Sequence, residues 1–114
     1  MRYAELTPND SHKNFYRKAI VIDDDNGNEY LQSYDTIVCG FDADGGFHRY
    51  WDGYSATTMR HIKAFLECNG MTPINKREWE RLKVEPYPLV DRQRYRNPRN
   101  VYMNGFNSGR VVYC

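Results

Sequence analysis

Two runs of acidic, asparagine and glycine residues, Asp23-Asp24-Asp25-Asn26-Gly27-Asn28 and Asp42-Ala43-Asp44-Gly45-Gly46, punctuate the first half of the chain. Such clusters favour tight turns, because Asp and Asn side chains bond their own backbone and Gly accepts positive φ. Between them lie stretches rich in β-branched and aromatic residues: Phe15 to Ile22, Glu29 to Cys39 with its most strand-like part at Tyr34–Cys39, and Phe47 to Trp51. Three strands joined by tight turns predict an antiparallel meander. In the third strand Phe47, Arg49 and Trp51 would share one face, since side chains alternate along a strand.

The pattern changes at Asp52-Gly53-Tyr54. Ser55 is a good N-cap, and Ala56 to Cys68 follows without Pro or Gly. Met59, Ile62 and Leu66 recur at helical spacing with Phe65 beside them, so they would cover the sheet, and Asn69-Gly70 is a natural stop. A second short helix is predicted over Lys76–Lys83. Its Asn75 and Glu78 have capping-box spacing, and Trp79 and Leu82 provide the apolar contact. Beyond Val84, three prolines frame an irregular arginine-rich segment, and residues 101–114 read as a terminal hairpin. The expectation is one α+β domain. It has a flexible arm over 1–12, a core over 13–83, an arginine-rich segment over 84–100 and a hairpin over 101–114.

Composition agrees with a single globular unit. The 114 residues are enough for one modest core, and 40% hydrophobic with 27% charged residues excludes wholesale disorder. Ten tyrosines suit a sheet and binding faces better than a helical bundle. No apolar run approaches the roughly 18 residues of a membrane span, and Met1 to Asp10 has no signal-peptide core. Neither export nor membrane insertion is expected. Cys39, Cys68 and Cys114 are far apart, odd in number and without a Cys-x-x-Cys pair, which points to a reducing, cytoplasmic setting.

Little in the residues suggests catalysis. Cys39 and His48 flank one turn and would be the only nucleophile–base pair, but Cys39 ends an apolar run and reads as a buried small hydrophobe. His61, between Arg60 and the Ile62-Lys63 pair, reads as solvated or capping, and His12 has no argued role. Counted from Asp23, position 5 of an EF-hand loop falls on Gly27, which brings no side-chain ligand; Asp42 to Gly46 fails the same way, and no zinc spacing occurs. Walker-type and nucleophile-elbow motifs do not occur either. No enzyme activity, metal or cofactor is expected.

Binding signals are stronger. The near-neutral total of +1 conceals a division: residues 1–58 carry five bases and ten acids, and residues 59–114 eleven bases and five acids. Arg92, Arg94, Arg96 and Arg99 surround Tyr95, a pattern suited to phosphates and a stacked base. Arg60 and Lys63 add charge on the main helix, whose N-terminal turns carry Thr57, Thr58 and His61 and would receive a phosphate or carboxylate. In the acidic half, Asp23, Asp24, Asp25 and Glu29 are candidates for imitating phosphates in a partner's basic groove.

Three segments, Phe15-Tyr16-Arg17-Lys18-Ala19, Ser33-Tyr34-Asp35-Thr36-Ile37-Val38-Cys39 and Trp51-Asp52-Gly53-Tyr54-Ser55-Ala56-Thr57-Thr58-Met59-Arg60-His61-Ile62, carry a family resemblance. With Asn75-Lys76-Arg77-Glu78-Trp79 they resemble a small uncharacterised family encoded on phages, plasmids and integrative elements of Gram-positive bacteria, over about residues 13–82. That family brings no established activity. The resemblance implies a role against host defence or in the element's own replication and transfer. Its most concrete form is an anti-CRISPR protein in the host cytoplasm that binds a Cas effector or its guide RNA. A small RNA- or DNA-binding accessory protein is the alternative, and a structural or assembly partner the weaker one.

Overall fold

A computed structural model describes residues 2–6, 15 and 18–86. Its fold is α+β, a five-stranded antiparallel sheet with two helices. The strands are β1 (Arg2–Glu5), β2 (Ala19–Asp23), β3 (Glu29–Ser33), β4 (Thr36–Phe41) and β5 (Phe47–Arg49), followed by α1 (Ala56–Cys68) and α2 (Lys76–Arg81). Strand order is the chain order, β1-β2-β3-β4-β5, an uninterrupted meander. No described helix is long and apolar enough to cross a membrane. The terminal hairpin expected over 101–114 lies outside the described residues.

The meander has two more strands than the sequence predicts. Arg2–Glu5, expected to be part of a flexible arm, pairs antiparallel with β2, Arg2 opposite Asp23 and Glu5 opposite Ile20. The extended run from Glu29 breaks at Tyr34-Asp35 into β3 and β4, with Tyr34 at φ 55°. The turn between β2 and β3 behaves as its residues dictate. Asp25 and Gly27 take positive φ, and Asp24 Oδ1 accepts from the backbone N–H groups of Asn26 and Asn28. Register shifts by one residue between Leu31 and Gln32, where Val38 is the extra residue of a bulge on β4.

One sheet face and α1 enclose the main core. Ala19, Val21, Leu31, Val38, Cys39 and Phe41 meet Ile62, Ala64, Phe65 and Leu66, and Trp79 of α2 joins them fully buried. Phe47 and Trp51 pack against the same cluster, so β5 points its odd residues inward as expected. The opposite face is apolar too. Ile20, Ile22, Tyr30 and Ile37 are buried there, with Tyr3 and Tyr50 half-buried beside them. Each such aliphatic or aromatic burial stabilises by roughly 1.5–3 kcal/mol before chain entropy is counted.

Candidate functional site

Helix α1 begins where the sequence places it. Ser55 Oγ accepts from Thr58 N–H at 3.0 Å, and the helix runs unbroken to Cys68. Its sheet-facing side carries Ile62, Phe65 and Leu66. Beside it lie Ala56, Met59, Arg60 and Lys63, spaced at three to four residues; Met59 also packs against the core, and the four border a second neighbour. That neighbour is the entry to α2. Ile74, Asn75, Lys76 and Tyr54 complete the lining, and together these residues border a shallow, open depression of about 280 Å³.

Three cations and no carboxylate line this groove among the described residues. Lys76 Nζ lies 4.7 Å from the centroid of the Tyr54 ring, and the Arg60 guanidinium 5.3 Å from that of Phe15. Met59, Ile74 and Ala56 supply apolar lining between the charges. Helix α1 has no acid in its first turn, so the positive end of its dipole adds to the charge of the groove rather than being cancelled.

The two walls are held apart by a rigid joint. Asn75 and Glu78 form a complete capping box, each side chain bonded to the other's backbone N–H at 2.8 and 3.1 Å. Trp79 Nε1 donates to the Gly53 carbonyl at 2.9 Å, tying α2 to the segment that leads into α1. Arg49, itself buried, donates to the carbonyls of Trp51, Trp79 and Leu82. Tyr54 and Ser55 therefore follow a segment whose carbonyls are held by two side chains, Arg49 at Trp51 and Trp79 at Gly53.

Other residues singled out from the sequence separate into distinct places. Arg92, Arg94, Tyr95, Arg96 and Arg99 lie outside the described residues. Arg60 and Lys63 are exposed and share the groove. Asp23, Asp24, Asp25 and Glu29 do gather at the β2–β3 turn, but much of their capacity is used locally. Asp23 Oδ2 receives Arg2 Nη2 at 2.6 Å, while the two oxygens of Asp24 take donors from Asn26 and Asn28. Glu29 is half-buried, and one of its carboxylate oxygens is buried without a hydrogen bond.

His61 corrects the sequence reading. It is 1% exposed rather than solvated, with Nδ1 2.8 Å from Ser33 Oγ, which in turn lies 3.0 Å from Thr58 Oγ1. Burial pushes its pKa down to about 4, and the nearby Arg60 and Lys18 charges act in the same direction. Thr58 and His61 consequently face the sheet and take no part in an anion site at the helix start. The helical period explains this: positions 58, 61, 62 and 65 fall on one side.

The Cys39–His48 pairing does not form. Cys39 is opposite Arg49 in the core, and burial raises its thiol pKa well above the usual value. His48 points to the other face, held between Asp42 Oδ2 at 2.6 Å and Glu85 Oε2 at 2.7 Å. Those hydrogen bonds, first to Asp42 and then to Glu85, raise its pKa. Among the described residues no group of His, Cys, Asp or Glu is arranged to hold a metal.

Tyr54 and Lys76 are the site residues that sequence reasoning missed. Tyr54 reads as part of a turn and Lys76 as an ordinary helix start. The signal available was the stripe 56, 59, 60, 63 on α1, in which Met59 packs against the core while Ala56, Arg60 and Lys63 stay exposed.

A profile of a family of unknown function, DUF8033, matches residues 4–81, more than half of the chain, and the protein belongs to that family. The matched span contains every groove residue. Comparisons with curated proteins and with solved structures find no match.

Proposed function

We propose that this member of DUF8033 is a non-enzymatic protein that binds nucleic acid through the groove between α1 and the entry to α2. The observation that carries the reading is the lining itself: Arg60, Lys63 and Lys76 border one depression together with Tyr54, and no carboxylate is among its lining residues. Such a surface attracts polyanions, and phosphate neutralisation with an aromatic alongside is the usual composition of a nucleic-acid contact. A non-catalytic role is supported by the state of the reactive groups. Cys39 is buried as a neutral thiol, His61 is buried, and His48 has both nitrogens engaged.

The resemblance to proteins of mobile elements supplies the biological setting. In it, inhibition of a CRISPR–Cas effector would proceed through guide RNA held in this groove. The acidic-face alternative has less support, because Asp23 and Asp24 already satisfy Arg2 and their own turn.

The test is a pull-down from host lysate with and without nuclease, followed by titration of the recovered nucleic acid at several salt concentrations. Binding is expected to weaken steeply with salt, and the triple variant Arg60→Ala, Lys63→Ala, Lys76→Ala to flatten the slope by about two to three units. Recovery of a Cas effector that depends on RNA would identify the inhibitor role. Binding that is insensitive to salt and to the triple variant would overturn the groove as the site.

A further inference from the structure

We infer that the groove takes an unpaired base of a single strand, with Tyr54 as its stacking platform; the inference rests on the nucleic-acid reading above. Shape argues for it first. The base edges of a duplex are read by a protruding helix or ribbon that enters its grooves, whereas here the basic surface is a shallow depression between α1 and residues 74–76. The other side of α1 is committed to the sheet through Ile62, Phe65 and Leu66. A concave site reaches a base only when that base has left the stack.

Size and chemistry agree. At about 280 Å³ the cavity falls just below the range that takes drug-sized molecules, so it suits one flat ring rather than a large cofactor. Its interior is apolar at Met59, Ile74 and Ala56, which matches the face of a base. Tyr54 is 41% exposed, although large aromatics ordinarily seek burial, and Lys76 holds its ammonium against the ring. The ammonium covers one face of the ring, so a base would stack on the opposite face with that cation alongside. Such stacking tolerates any base, so little sequence preference is expected.

The experiment measures fluorescence anisotropy of a labelled homothymidine strand, a ribo-oligonucleotide of mixed sequence, their duplexes and inorganic polyphosphate as competitor. Single strands are expected to bind roughly ten-fold or more tightly than duplexes. Tyr54→Ala should weaken them by a similar factor without altering the salt slope, and Tyr54→Phe should retain the affinity. Comparing the DNA and RNA strands separates the two sources of the same chemistry. Tyr54 is largely exposed, so a circular dichroism melt of Tyr54→Ala should match the parent and exclude misfolding as the cause. Equal affinity for duplex and strand, full competition by polyphosphate, or an inert Tyr54→Ala would each overturn the inference while leaving nucleic-acid binding intact. Failure of every oligonucleotide to bind would overturn both.

Discussion

The Arg49 guanidinium lies 4.5 Å from the centroid of the Trp79 ring, in the interior, and its hydrogen bonds go to main-chain carbonyls rather than to an acid among the described residues. Two stretches far apart in sequence meet at this one side chain: the end of β5 with the Gly53 link into α1, and α2. The planar fork of arginine can serve several carbonyls at once and still stack on an indole, which an ammonium cannot do.

Arg49→Lys is therefore expected to destabilise the fold although it keeps the charge. The loss should be about 2–3 kcal/mol, because buried carbonyls lose charged donors. Urea unfolding measures it as a lower midpoint at unchanged slope. A variant within about 0.5 kcal/mol of the parent would show that water replaces the guanidinium without penalty.

His61 should make the protein acid-sensitive. Its pKa is about 4 in the fold against 6.5 when unfolded, so between these values the unfolded chain binds more protons. Stability is then unaffected above pH 6.5 and falls as pH drops toward 4, by up to about 3 kcal/mol. Thermal melts across that window, compared with His61→Gln, isolate the contribution. The variant should start less stable and show a shallower decline.

His48 has the opposite dependence. Its carboxylate partners raise its pKa, so the stability it contributes is complete below the unfolded value of 6.5 and is lost as pH rises through the higher folded value. Titration of the imidazole by NMR should show a midpoint above 6.5 that drops in Asp42→Asn. Melting temperature should decline on the alkaline side in the parent and not in His48→Gln. An imidazole titrating at or below 6.5 would contradict the two-carboxylate clamp.

Ser55→Ala removes the side-chain acceptor at the start of α1. A loss of about 1 kcal/mol is expected, the usual value for such a cap. The groove variants at Arg60, Lys63 and Lys76 are expected to change stability far less, since all three side chains are exposed.

Local signals in the sequence were accurate wherever backbone chemistry alone decides. The limits of α1 from its Ser55 cap to Cys68, the Asn75–Glu78 box and the Asn26-Gly27 turn all occur where their residues require. The missed features had no local mark. Tyr34 takes φ 55° without the Gly or Asn that usually announces such a turn, so Glu29 to Cys39 reads as one run. Arg2–Glu5 is a mostly polar tetrapeptide, and its extended form comes from pairing with β2. His61 sits next to Arg60 and close to Lys63 in the chain, and only helix rotation carries it inward to Ser33.

The sequence by itself determined the class of fold: turn residues at close spacing, β-branched runs between them, and one capped amphipathic helix admit an antiparallel sheet with a helix across it. Those are short-range preferences, set by the φ and ψ each residue tolerates and by the period of its apolar neighbours. The tertiary structure decided which charged residues remain available. It placed Asp23 against Arg2 and enclosed Arg49 and His61. It brought Arg60 and Lys63 of α1 to the same depression as Tyr54 and Lys76. Function at such a groove depends on side chains that converge through packing, and packing sums contacts across the whole chain.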